Sequence, residues 1–113
     1  MNKILMVRST DQMIEKNLIG YGWQIDFSHF NQIADLLDAI KTKHGTYGNS
    51  RIRIASFFNL KKGDIIVVPT GSSIALAEVE GERFFQAGSK RSSNQISVRY
   101  CRNQTGGLIK IPR

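Results

Sequence analysis

The side chains in this 113-residue sequence that could do chemistry fall into two groups of unequal promise. Candidates for catalysis are few. His29 and His44 have no Ser, Cys or carboxylate pair at a spacing that would make a nucleophile and base. Cys101 is the only thiol, and although Arg99 and Arg102 are its basic neighbours, nothing accompanies it as a base. Two His and one Cys would need carboxylates to complete a metal site, and no ligand spacing points to one. The expectation is a non-catalytic domain with no cofactor. Candidates for recognition are better. Trp23, the sole Trp, offers an indole face on which any nucleobase stacks for about 1–3 kcal/mol, and it suits a core position equally well. Tyr47 lies in a glycine-flanked loop, where a ring has less core to fill, and makes a second candidate wall. Asp26 can accept a hydrogen bond from an exocyclic amine on a base edge, or help Ser28 cap a helix.

The charge distribution complements those rings. Net charge is +7, yet through Glu82 nine Lys and Arg balance nine Asp and Glu. From Arg83 onward there are seven basic residues and no carboxylate, so the whole excess lies in the final third. A one-sign segment on a folded domain is a candidate footprint for a polyanion, here with Arg51, Arg53, Lys90, Arg91, Arg99 and Arg102 as phosphate contacts. The plainer alternative is a solvated surface or an acidic protein partner. Length allows one domain, 1–113, with a single core. The apolar runs are too short to span a membrane, the N-terminus lacks a secretory apolar stretch, and the lone Cys fits a reducing compartment. A cytoplasmic protein with no membrane partner is expected.

Positioning these groups requires a scaffold, and residues 60–81 are its most legible part. Gly63-Asp64 is turn chemistry, because Gly takes φ > 0 without a Cβ clash and Asp bonds nearby backbone. Ile65-Ile66-Val67-Val68 predicts a strand buried on both faces, ended by Pro69, which cannot donate to a ladder. The short polar loop Thr70-Gly71-Ser72-Ser73 returns a strand over 74–79, so the two must pair antiparallel. Upstream, residues 3–8 predict an opening strand, and Ser9 with Gln12 a capping box for a short helix over about 10–18. Gly20 and Gly22 break that pattern before an extended 24–27. Ser28 is placed to cap the longest helix, about 29–43, with Phe30, Ile33, Leu37 and Ile40 on one face, and a short helix follows over about 50–59. Arg83-Phe84-Phe85 extends past Gly81, a basic loop covers 88–93, and residues 95–100 alternate strictly, with Ile96, Val98 and Tyr100 to one side. A last strand is expected over 108–111. The predicted class is α+β, a small antiparallel barrel or half-barrel with one long and two short helices.

In order along the chain, Gly22-Trp23-Gln24-Ile25-Asp26-Phe27-Ser28, the segment from Asn49-Ser50-Arg51-Ile52 to Phe57-Phe58, Lys62-Gly63-Asp64-Ile65-Ile66-Val67-Val68-Pro69, Ile74-Ala75-Leu76-Ala77-Glu78-Val79-Glu80-Gly81, Ile96-Ser97-Val98-Arg99-Tyr100 and Ile109-Lys110-Ile111-Pro112-Arg113 resemble the N-terminal module of Mrr-type and McrB-type restriction proteins. That module is similar to the EVE, YTH and PUA group of small barrels, which bind nucleic acid and often hold a flipped, modified base in an aromatic pocket. The resemblance implies a PUA/EVE-like barrel that binds DNA, with RNA as the alternative. It also implies a restriction or anti-phage effector, either downstream or on a partner chain. It puts Asn49 and Ser50 where the segment bordering the pocket begins, although both also suit an ordinary N-cap. Two departures stand out. Lys90-Arg91-Ser92-Ser93 is more basic than that pattern, and Leu60-Lys61-Lys62 replaces an aromatic before Gly63. A protein-interaction or oligomerisation domain is the competing reading from another class.

Overall fold

The turn at Gly63-Asp64 joins two distant segments as well as reversing the chain. Asp64 is fully buried, with Oδ1 accepting from the backbone N–H of Lys3 at 3.0 Å and Oδ2 from that of Lys61 at 2.9 Å. Ile65 N–H in turn donates to the Lys3 carbonyl at 2.9 Å. One carboxylate thereby sets β1 (Ile4–Met6) alongside β3 (Ile65–Thr70) in parallel, with Ile4 opposite Ile65. The computed structural model describes residues 3–89 and 91–112, so Lys90, an expected phosphate contact, and Arg113 lie outside the described residues, as do Met1 and Asn2.

Between those strands run α1 (Asp11–Glu15), β2 (Leu18–Tyr21), a 3-10 turn (Phe27–His29), α2 (Ile33–His44) and α3 (Arg51–Phe58). After β3 come β4 (Ser73–Phe85), β5 (Asn94–Tyr100) and the short β6 (Ile111–Pro112). The strands form one six-stranded mixed sheet in the order β1-β3-β4-β5-β2, with β6 pairing to β4. β4 bends midway. Between the pairs Val79–Val98 and Arg83–Ile96 it carries more residues than β5, and Gly81 takes φ 110° there, as a bulge requires. Ile66, Val68, Ala75, Ala77, Val79, Ile96, Val98 and Tyr100 point into the core, where Leu36 and Ile40 of α2 and Ile54 and Phe57 of α3 cover them. Three helices, one long and two short, and an α+β class agree with the expectation.

Several local expectations are corrected. The sheet is mixed rather than antiparallel, because the Asp64 clamp admits β1 only in the parallel sense. Of the barrel and half-barrel expected, it is not the closed form: its pairings end at β1 and β2, which do not pair with each other among the described residues. The first helix is capped by Thr10, whose hydroxyl accepts from Met13 N–H at 3.2 Å, and it stops early because Asn17 turns left-handed at φ 57°. Leu18 therefore opens a strand instead of closing a helix. The long helix begins at Ile33 rather than at position 29, since Asp26 accepts from both Ser28 N–H and Ser28 Oγ and caps the 3-10 turn. Pro69 stays within β3, opposite Ile74. β1 runs out opposite Val67, so no strand on that flank needs an N–H from Pro69. Ile65 and Val67 are half-buried, so β3 has one inner face rather than two. The last strand is shorter than expected and exposed. No helix among the described residues is long and apolar enough to cross a membrane.

Candidate nucleic-acid interface

Because the sheet curls without closing, its two end strands face each other across a gap. Residues 5–8 of β1 and its exit, with Gly20 and Tyr21 of β2, line a cavity of about 570 Å³ there. Its inner wall is apolar: Leu5, Val7, Tyr21 and Phe57, of which Val7 and Phe57 are buried. The Tyr21 ring lies against Phe57 at 5.3 Å between centroids, and both meet the edge-on ring of Phe27. Three exposed arginines, Arg8, Arg53 and Arg91, and the hydroxyl residues Ser9, Thr10 and Ser92 complete the lining, and no carboxylate does. Each arginine comes from a different element: the exit of β1, the first turns of α3 and the β4–β5 loop. The volume falls within the roughly 300–1,000 Å³ of small-molecule clefts. Rings behind and cations in front suit a flat, apolar, anionic guest such as a base with its phosphate.

Gly20 holds the Arg91 loop in place. A Cβ at position 20 would lie 2.6 Å from Ser92 Cβ and 2.9 Å from Met13 Cε, so only glycine lets the loop sit down on β2. The loop itself is closed by Gln86 N–H to the Ser93 carbonyl at 2.7 Å and by Ser92 N–H to the Ser89 carbonyl at 3.0 Å. Arg83 anchors its root to α3, donating from Nη2 to the carbonyls of Phe58 and Leu60.

Of the residues expected to act in recognition, the structure brings Arg53 and Arg91 together at this cavity and adds Arg8. Arg51, two positions before Arg53, is exposed on α3 outside the lining. Arg99 pairs with Glu78 at 3.1 Å. Arg102 donates to the carbonyls of Ile14 and Gly106, each at 3.0 Å, and to Asn17 Oδ1, stapling the C-terminal loop to α1. Both arginines border a separate depression shared with Glu80 and Glu82, a mixed-charge surface poorly suited to a polyanion. Trp23 and Tyr47 are half-buried against the core, Asn49 is exposed and Ser50 opens α3, and none of the four lines the cavity. Asp26 is occupied by Ser28 and, at 3.3 Å, His29.

Trp23 and Gln24 do carry an unusual feature, consecutive left-handed backbone at φ 78° and 53°. The end of α2 holds that turn: His44 Nε2 meets the Trp23 carbonyl at 2.7 Å and Lys43 Nζ donates to the Gln24 carbonyl at 2.6 Å. Asn94 has no motif or spacing that singles it out in the chain. Buried in β5, it accepts from Phe27 N–H at 2.8 Å and donates to the Gly22 and Ile25 carbonyls at 3.0 and 2.8 Å. Among the described residues no three His, Cys, Asp or Glu gather where they could hold a metal ion.

The chain belongs to the family described as a domain of unknown function, DUF8426, which it matches over residues 7–107. No curated protein and no solved structure matches it.

Proposed function

We propose that this DUF8426 domain is a non-catalytic DNA-recognition module that lends target choice to a restriction or anti-phage effector. In this reading the curled sheet is a PUA/EVE-like barrel left unsealed, and the gap takes a base turned out of its duplex. Arg8, Arg53 and Arg91 draw in the backbone, and Tyr21 and Phe57 back the ring. The observation that carries the proposal is the cavity itself, ring-walled, rimmed by three arginines from three elements and free of carboxylates. The ordered sequence resemblance to restriction modules supplies the context.

Fluorescence anisotropy with duplex DNA, duplex DNA carrying a modified base, and single-stranded RNA, each at two salt concentrations, tests it. DNA is expected to bind best, with a log–log salt slope of roughly −2.7 if three arginines each neutralise one phosphate at about −0.9. Arg53→Gln and Arg91→Gln should each flatten that slope by roughly 0.9, while Arg99→Gln leaves it unchanged. Tightest binding to the RNA would favour the RNA-binding alternative. Equal, weak binding to all three, with Arg99→Gln as harmful as Arg53→Gln, would reduce the effect to bulk charge. Self-association in that case would favour an interaction domain, for which Ile4 and Met6, 71% and 64% exposed on edge strand β1, are the observation in favour.

A further inference from the structure

A second cavity, of about 510 Å³, adjoins the first and shares Thr10, Arg91 and Ser92 with it. Its remaining lining differs in chemistry. Gln12 and Lys16 come from α1 and the residue that caps it, Gln86 and Ser89 from the β4–β5 loop, and Gln95 from β5. Three amides, three hydroxyl residues (Thr10, Ser89 and Ser92) and two cations line it beside the apolar Met13 and Leu18, again with no carboxylate. The Thr10 hydroxyl accepts from Met13 N–H and the Gln95 amide donates to the Ser92 carbonyl, both at 3.2 Å. Amides offer a donor and an acceptor together, as base edges require, and hydroxyls suit sugar and phosphate oxygens. Ser92, which rests on Gly20, and Arg91 line both cavities.

We infer that the two cavities form a paired site for two consecutive unpaired nucleotides of a DNA strand. One base lies against Tyr21 and Phe57, Arg91 takes the linking phosphate, and the neighbouring nucleoside is read by Gln12, Gln86 and Gln95. This inference rests on the base-binding reading of the first cavity and adds to it the class of substrate: an unpaired step rather than one isolated base. It also accounts for the polar, basic character of the loop over 88–93, which a single-base pocket does not require.

Amide-detected NMR titration of the intact domain tests it with three probes: deoxynucleoside 5′-monophosphates, deoxynucleoside 3′,5′-bisphosphates, and a pool of 5′-phosphorylated deoxydinucleotides. The monophosphates should move signals around Tyr21 and Phe57 alone. The dinucleotides should also move Gln12, Gln86 and Gln95 and bind roughly tenfold more tightly than the bisphosphates, as one further stacked or hydrogen-bonded nucleoside provides. Gln12→Ala with Gln86→Ala should remove that advantage and leave monophosphate binding unchanged. Dinucleotides binding no better than bisphosphates would overturn the paired site while the base pocket stands. No binding by any probe at the first cavity would overturn both.

Discussion

Asp64 shows how much one side chain can decide. Burial by itself would push its carboxyl pKa up. The two backbone N–H groups it accepts from, with the charges of Lys3 and Lys61 nearby, bring it instead below its ordinary value. A carboxyl whose folded pKa is depressed adds stability that is present above its unfolded value, about 3.9, and is lost as pH falls through the folded one. Asp64→Asn keeps the shape but replaces one acceptor with a donor facing an N–H. It should cost about 1–3 kcal/mol at neutral pH, read as a lower urea midpoint, and should flatten the loss of stability below about pH 4. An unchanged acid limb would mean that other carboxylates govern it. Gly63-Asp64 was legible as a turn because its chemistry is local. That it also grips Lys3 was not, since nothing near either residue announces a contact between positions 61 apart in the chain.

Among the elements, the strands with inner and outer faces could be read directly from the chain. Ile96, Val98 and Tyr100 alternate into the core as their spacing implies, and the β3–β4 hairpin pairs as its short loop demands. Helix starts were less legible, because Thr10, Asp26 and Ser28 all have capping chemistry and only packing decides which cap is used. The cavity was not legible at all. It forms between β1 and β2, strands joined by no hydrogen bond, and its arginines come from three separated segments. The clue was Gly20, read as a breaker of periodicity when its role is close approach. Gly20→Ala should lift the β4–β5 loop off β2, shifting the amide signals of Ser92 and Gln95 and weakening DNA binding, with secondary structure retained. Unchanged loop signals would show that Ser92 and Met13 yield to a methyl group without moving the loop.

At the scale of the whole molecule, the arginines of the one-sign tail do not gather on one face among the described residues. Arg83, Arg99 and Arg102 are bound to carbonyls or a carboxylate, whereas Arg91 joins Arg8 and Arg53 from the balanced first part of the chain. Folding redistributes the charge, and the surface that results is smaller and better defined than the composition implied. The gap between β1 and β2 has a thermodynamic consequence as well. A guest lodged there would span two strands that otherwise touch only through the core, and it has no such place to sit on an unfolded chain. Heat resistance therefore becomes a gauge of guest identity: at about a hundred times its dissociation constant a fitting oligonucleotide should add roughly 2.7 kcal/mol, or about 10 °C, in a melting scan. A polyanion without bases, such as heparin, should fall well short of that.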